Sequence, residues 1–105
     1  MNPGLYALAA ALEIGGCFAV WAWVRSGASA LWLIPGTAAL MAFAWVLAQT
    51  SPAHAGRSFA AYGGVYIVAS LVWLRVVEQS SLRSTDLAGA GLALAGAAVI
   101  LWGAR

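Results

Sequence analysis

The sequence contains no lysine and very few charged side chains of any kind. Only 8% of its 105 residues are charged, whereas about a quarter of the residues of a soluble domain usually are. So few charges cannot cover the surface of a water-soluble protein of this length. The composition therefore excludes a soluble enzyme, a nucleic-acid-binding protein and a disordered tail.

Cysteine and histidine are each represented once. Because Cys17 is the only cysteine, neither an intrachain disulfide nor a cysteine metal cluster can form. His54 lies in a predicted loop with no second ligand nearby, which favours a solvated side chain over a metal site. The chain also lacks a Ser/His/Asp set, a pair of carboxylates and a phosphate-binding loop. We expect no cofactor, no metal, no nucleic-acid partner and no enzymatic activity.

Apolar residues make up 64% of the chain. Short segments rich in charged and turn-forming residues divide them into four blocks, and a helix needs about 17–25 residues to cross a bilayer. A strand interpretation fails because the blocks lack a period of two and an open sheet is not viable in lipid. The prediction is an all-α membrane protein with one transmembrane domain over residues 1–105 and helices at approximately 5–24, 31–50, 59–78 and 87–104.

The arginine distribution indicates the orientation only weakly. Four spans place both termini on the same membrane face, together with Arg57 and Arg105, and place Arg25, Arg75 and Arg83 on the other face. The positive-inside rule then favours cytoplasmic first and third loops and periplasmic termini. Because the difference is only three against two, the chain is also predicted to insert in both orientations, with a fixed orientation as the alternative.

Glu13 is a carboxylate inside the first apolar block. It lies eight residues into that block, so its predicted depth is about 12 Å in a hydrocarbon core roughly 30 Å thick. An ionisable group at the centre of a membrane helix costs about 2.5–3.5 kcal/mol on insertion scales, and such groups are functional by default. We interpret Glu13 as a proton- or cation-binding site. The alternative is a protonated side chain that hydrogen-bonds across a helix interface.

Aromatic residues of the third block are predicted to lie near Glu13. Tyr66 is seven residues into that block, which corresponds to a depth of about 10 Å, and Tyr62 lies one turn closer to the surface. Their hydroxyls need partners, and aromatic ring faces attract cations. This combination suits a lipophilic cation, and residues of the second helix would add an apolar wall. The predicted substrate-lining residues are Leu40, Met41, Phe59, Tyr62 and Tyr66.

Glycine marks two further features. The Gly63–Gly64 pair permits a hinge in the third helix, with close packing as an equally supported interpretation. The fourth helix carries small residues at helical spacing and no ionisable group inside its apolar block, which predicts helix association rather than chemistry. The predicted dimer face consists of Gly89, Ala93, Gly96 and Ile100.

Several segments together match the pattern of a known family. They are LEIGGCF at 12–18, WAWVR at 21–25, FAWVLAQT at 43–50, GRSFAAYGGVYIVASLVWLRVVE at 56–78 and the glycine-rich fourth helix. This pattern resembles the small multidrug resistance transporters, and most closely their YnfA-like branch. The resemblance covers essentially the whole chain, and the stretch around AAYGGVY is its most specific part.

The resemblance implies a set of roles. Glu13 would bind protons and cationic drugs in competition, and Tyr62 and Phe59 would contact the substrate. Drug exporters typically have tryptophan at the place of Tyr62, and Leu40 falls where the family has a substrate-binding tyrosine on helix two. The family also implies an antiparallel dimer, held partly by helix four, in a bacterial plasma membrane.

The resulting functional prediction is a multi-pass inner-membrane exporter of small lipophilic or aromatic cations, driven by protons. Its expected partners are the lipid bilayer, a second copy of the chain in an antiparallel homodimer, protons and organic cations. One alternative is an exporter specific for guanidinium-like metabolites. Another is a non-transporting assembly or regulatory subunit in which Glu13 serves only helix pairing.

Overall fold

Four long helices form almost the whole of the computed structural model, which describes residues 3–50, 52 and 54–103. The helices are α1 (Pro3–Ser26), α2 (Leu33–Leu47), α3 (Ala55–Val76) and α4 (Ser84–Gly103), and a 3₁₀ turn at Ala30–Trp32 leads into α2. No strand occurs in the described residues. Each helix, α2 taken with its leading turn, is long and apolar enough to cross a membrane. The predicted all-α membrane fold is confirmed.

Local signals explain where the helices begin and end. Pro3 opens α1, where a missing N–H costs nothing. The helix ends before Gly27, whose φ of 72° is a left-handed conformation that glycine adopts without strain. Ala28 then donates to the carbonyl of Ala22 at 3.1 Å, which closes the helix end. In the first turn of α4, the Asp86 carboxylate accepts a hydrogen bond from the backbone N–H of Arg83 at 2.9 Å.

The helices pack as two hairpins, α1 with α2 and α3 with α4, which meet mainly between α1 and α3. Glycine brings the backbones together in each hairpin. A Cβ atom on Gly16 would lie 2.8 Å from the carbonyl oxygen of Gly36 across the α1–α2 contact. A Cβ on Gly64 would lie 2.7 Å from the carbonyl oxygen of Ala93 across the α3–α4 contact. Helix association in lipid depends on such close packing, because lipid supplies no hydrophobic drive.

The core is small and lies where α1, α2 and α3 meet. It consists of Tyr6, Ala9, Ala10, Val46, Leu47, Ala61 and Tyr62. Most large apolar side chains instead lie on the outside of the bundle. Examples are Leu31, Ile34, Met41, Leu92, Val99 and Trp102. An apolar exterior around a small polar site suits a protein whose solvent is the bilayer.

The Gly63–Gly64 pair lies inside an unbroken helix, since α3 runs from Ala55 to Val76. Gly64 is buried and leaves no room for a side chain beside Ala93, whereas Gly63 has open space where a Cβ would point. Close packing therefore explains Gly64. A hinge at this pair stays a prediction.

The predicted dimer face of α4 is divided between two surroundings. Ala93 is half-buried and its backbone lies against Gly64 of the same chain, next to the buried Ala97. Gly89 and Gly96 are exposed and have nothing near the position of a Cβ. Ile100 is exposed as well and completes the predicted set. The outward-facing part of the predicted dimer face therefore comprises Gly89, Gly96 and Ile100. Its role in a dimer stays a prediction.

Candidate functional site

The centre of the candidate site is a hydrogen bond between α1 and α3. The hydroxyl of Tyr62 donates to Oε1 of Glu13 at 2.7 Å, across 49 residues of sequence. Tyr62 is buried, with 7% of its surface exposed, and Glu13 is half-buried. A polar group buried without a hydrogen-bond partner is costly. The bond gives the Glu13 side chain a partner and so offsets part of the cost of placing it inside a spanning helix.

Small residues allow the two side chains to meet. Tyr6, Ala10 and Glu13 recur at helical spacing along α1, on the side that faces α3. Ala10 is completely buried there, and so is Ala61, which precedes Tyr62 on α3. Because these side chains end at Cβ, the helix backbones approach closely enough for a phenol to reach the carboxylate.

Two aromatic rings hold the ring of Tyr62. Its centroid lies 5.4 Å from that of Phe43 on α2 and 5.8 Å from that of Tyr66 on α3. Both pairs are tilted and lie within the 4.5–7 Å separation that favours aromatic contacts. Three helices thus fix the position of the phenol. The sequence analysis missed Phe43, although its place three residues after Leu40 on α2 was a usable signal.

The structure decides which of the two predicted tyrosines bonds to Glu13. The sequence analysis placed Tyr66 level with the carboxylate and Tyr62 one turn closer to the surface. Both helices begin earlier than their apolar blocks, α1 at Pro3 and α3 at Ala55, so Glu13 lies ten residues into α1 and Tyr66 eleven residues into α3. The hydrogen bond nevertheless comes from Tyr62, seven residues into α3.

The other predicted lining residues are spread over the molecule. Tyr66 lies beside Tyr62. Leu40 packs against the Gly16 position in the α1–α2 contact. Phe59 and Met41 are 57% and 70% exposed, so neither is enclosed within one chain. A single chain therefore brings only the two tyrosines together with Glu13, and the substrate-contacting roles of the others stay predictions.

An apolar groove lies along the outside of the α1–α2 hairpin. Its volume is about 410 Å³, and its lining residues are Cys17, Val20, Trp21, Val24, Arg25 and Leu40. At one end, in the last turn of α1, the Arg25 guanidinium lies 4.6 Å from the centre of the Trp21 ring. At the other end, Cys17 is one helical turn from Glu13 and on the same side of α1. The groove therefore leads from the end of the helix toward the carboxylate.

Further contacts frame the site along the bundle. Phe18 of α1 packs against Trp73 of α3, with ring centroids 5.1 Å apart. Toward the opposite ends of these helices, Ser58 and Thr50 share a hydrogen bond, and the Thr50 hydroxyl also donates to the carbonyl of Leu47 at 2.7 Å. These contacts join α1 to α3 and the end of α2 to the start of α3. They restrict how far the helices beside Glu13 can separate.

Comparisons with known proteins give one consistent result. The sequence model of a family described as "Uncharacterised BCR, YnfA/UPF0060 family" matches residues 3–105. A "UPF0060 membrane protein" of Methylocella silvestris is 52% identical over 101 residues, which cover 96% of this chain and 94% of that protein. No solved structure matches.

Proposed function

Since the chain belongs to the YnfA/UPF0060 family of membrane proteins, we propose that it is a proton-coupled exporter of small lipophilic or aromatic cations, akin to the small multidrug resistance transporters. The observation that carries this proposal is the Glu13 carboxylate, held by Tyr62 inside a membrane-spanning helix. Ionisable side chains at that depth mark ion pathways and proton relays. The proposed location is a bacterial plasma membrane.

The surroundings of Glu13 suit an organic cation. The carboxylate supplies the opposite charge, and the rings of Phe43, Tyr62 and Tyr66 supply an aromatic wall. A cation above an aromatic face is attracted by the ring, more strongly when water is excluded. The groove that ends at Cys17 supplies an apolar route from the end of α1. A cation with apolar substituents would follow this route at little desolvation cost.

The proposed mechanism is competition for a single carboxylate. A cation binds Glu13 in its charged form, and protonation of the carboxylate releases the cation. Loss of the proton on the other side of the membrane then restores the site. Alternating access of this kind commonly uses two repeats of inverted topology. One chain of four helices lacks such a repeat, so a second copy in the opposite orientation would supply it and bring two Glu13 side chains together.

A non-transporting membrane subunit is the second candidate, because the Glu13–Tyr62 bond by itself joins α1 to α3. Proton release separates the two functions. Addition of a quaternary ammonium compound to purified, weakly buffered protein in detergent should acidify the solution if cation and proton compete for Glu13. A subunit that uses the bond only for packing should release none. Absence of release across a panel of lipophilic cations would reject the exporter.

A leucine at position 96 tests the proposed dimer. Gly96 is exposed and has nothing near its Cβ position, so the larger side chain fits the isolated chain. We expect Gly96→Leu to reduce crosslinked dimer strongly while the monomer keeps its helix content, because small residues allow helices to associate closely. Crosslinking in membranes and circular dichroism measure the two effects.

Ala93→Leu is the contrasting variant, since Ala93 lies against Gly64 of the same chain. We expect this change to destabilise the monomer itself. If Gly96→Leu leaves the amount of crosslinked dimer unchanged, Gly96 does not lie in the dimer interface.

The balance of arginines supplies a test of orientation. Adding two lysines after Arg105 reverses the small excess of positive charge, so it should draw the C-terminal side toward the cytoplasm. Reporter fusions at the C-terminus should shift strongly toward a cytoplasmic signal. Insertion in both orientations would be contradicted if the fusion to the native sequence reports one side only and the fusion to the lysine variant reports that same side.

A further inference from the structure

The Tyr6 side chain is buried, but its hydroxyl group is unpaired. Only 2% of the surface of Tyr6 is exposed. The hydroxyl oxygen has no hydrogen-bond partner among the described residues. Burying a polar group without a partner is costly, and in native proteins such groups bond to another protein group or to ordered water. The Tyr6 hydroxyl therefore marks a place inside the bundle where water is expected.

A pair of hydroxyl groups lies at the same depth as Tyr6. Tyr6 belongs to the same buried cluster as Leu47, whose carbonyl accepts the Thr50 hydroxyl at 2.7 Å. Ser58 has 4% of its surface exposed and shares a hydrogen bond with Thr50. Because the Thr50 proton goes to Leu47, the Ser58 hydroxyl is the donor to Thr50. The oxygen of Ser58 can then accept a hydrogen bond from another group.

The Tyr62–Glu13 bond lies deeper along the same two helices. Tyr6 and Ser58 each lie three residues after the start of their helix, α1 and α3 respectively. Glu13 follows Tyr6 by seven residues, and Tyr62 follows Ser58 by four, which corresponds to about 10 and 6 Å of helix. Both spacings keep the two residues on one side of their helix. The Tyr62 oxygen, whose proton goes to Glu13, can also accept a hydrogen bond.

We propose that the Tyr6 hydroxyl holds water between Ser58 and Tyr62, and that this row of hydroxyls carries protons between Glu13 and the membrane face at which α1 and α3 begin. The proposal rests on the proposed function and adds the route by which the proton reaches the carboxylate. A buried water typically makes about three hydrogen bonds. Here Tyr6 donates to the water, and the oxygens of Ser58 and Tyr62 accept from it.

Proton transfer along this row is balanced. Tyr62 passes its hydroxyl proton to Oε1 of Glu13 and takes a proton from the water. The water takes one from the Ser58 hydroxyl, which turns away from Thr50 for this step and regains a proton from solution. Thr50 is half-buried just beyond the end of α2, so solution reaches the pair from that face. One proton arrives at Glu13, every other group keeps its number of protons, and release reverses the steps.

The other side of Glu13 has no comparable row in the described residues. The groove between Arg25 and Cys17 is lined mainly by apolar side chains. Ser70 donates to a carbonyl of its own helix at 2.8 Å. Trp73 has a buried indole N–H without a described partner, but an indole only donates and cannot relay a proton. Proton and cation therefore approach Glu13 from opposite ends of α1.

The rate of proton release tests this route. Phenyltrimethylammonium is mixed by stopped flow with weakly buffered protein in detergent, and a pH dye records how fast and how many protons appear. We expect Tyr6→Phe, and independently Ser58→Ala, to slow release by about tenfold, the effect of one hydrogen bond on a rate. Neither change touches the carboxylate, so the protons released per bound cation and the dissociation constant of the cation should stay at their native values.

Ser70→Ala is the matched control for Ser58→Ala, because it removes a hydroxyl of α3 whose proton goes to a backbone carbonyl. Its release rate should be native. Native rates in Tyr6→Phe and Ser58→Ala, or equal slowing in Ser70→Ala, would overturn the route and leave the exporter proposal standing. Absence of proton release by the native protein would instead count against the proposed function.

Stability provides a readout that does not depend on transport. If the Tyr6 hydroxyl is bonded to water, Tyr6→Phe loses that bond, and the midpoint of unfolding in denaturant should fall. If the hydroxyl has no partner, the same change relieves the cost of burying it, and the midpoint should rise. A raised or unchanged midpoint would overturn the role assigned to Tyr6.

Discussion

Replacement of Glu13 by glutamine should abolish proton-driven cation transport while the four helices remain folded and inserted. Glutamine keeps the size of the side chain, and its carbonyl oxygen can still accept the hydrogen bond that Tyr62 donates. It cannot be charged, so it removes both the attraction for a cation and the exchangeable proton. Insertion should be at least as favourable, because a charge at the centre of a membrane helix is costly.

The pH dependence has a defined sign. In the proposed mechanism protons and cation compete for one carboxylate, so cation binding by the native protein should strengthen as pH rises and weaken as pH falls. Binding by Glu13→Gln should be weak and independent of pH. Transport into liposomes with an imposed proton gradient, and binding over a pH series, measure both effects. Full proton-coupled transport by the glutamine variant would show that Glu13 is not the coupling residue.

Glu13→Asp distinguishes a transport role from a packing role. Aspartate keeps the charge but withdraws the carboxyl by one methylene from the Tyr62 hydroxyl. An exporter should keep cation binding in the aspartate variant, with weaker coupling and an altered pH range, and lose it in the glutamine variant. A subunit that uses Glu13 only to join helices should show the opposite order, because glutamine better preserves the reach to Tyr62.

A methyl group at position 64 should destabilise the bundle, whereas the same group at position 63 should not. A Cβ on Gly64 would lie 2.7 Å from the carbonyl oxygen of Ala93 and 2.7 Å from the Cβ of Ala97. These are a backbone atom and the first atom of a side chain, so neither can rotate away. Overpacking of this kind typically costs about 1–3 kcal/mol. We expect Gly64→Ala to lower the free energy of unfolding by that amount in detergent titrations.

Gly63→Ala is the matched control, because open space surrounds its Cβ position. Alanine favours a helix over glycine by up to about 1 kcal/mol, so this variant should be neutral or slightly more stable. Equal effects of the two substitutions would contradict the packing at Gly64. Transport adds a separate test of the hinge: a stable but inactive Gly63→Ala would support a need for bending there.

The sequence alone was sufficient to predict the fold class and the position of the Glu13 carboxyl group inside a spanning helix. In a bilayer each apolar segment must satisfy its own backbone hydrogen bonds, so a run such as α1 becomes a helix whatever its neighbours are. Depth along a helix follows from the residue count, which placed Glu13 well inside the membrane. Both conclusions depend on local composition and a fixed rise per residue, and neither needs knowledge of how the helices pack.

Only the tertiary structure decided which groups meet. That Tyr62 rather than Tyr66 donates the hydrogen bond to Glu13 depended on how α1 and α3 pack against each other. The contact of Phe43 with Tyr62 and the close approach at Gly64 depended on the rotation of each helix about its axis. All four helices are apolar on nearly every side, because lipid and protein interior accept the same side chains. The sequence therefore gives little indication of which face of each helix points into the bundle. Close packing between small residues determines that face.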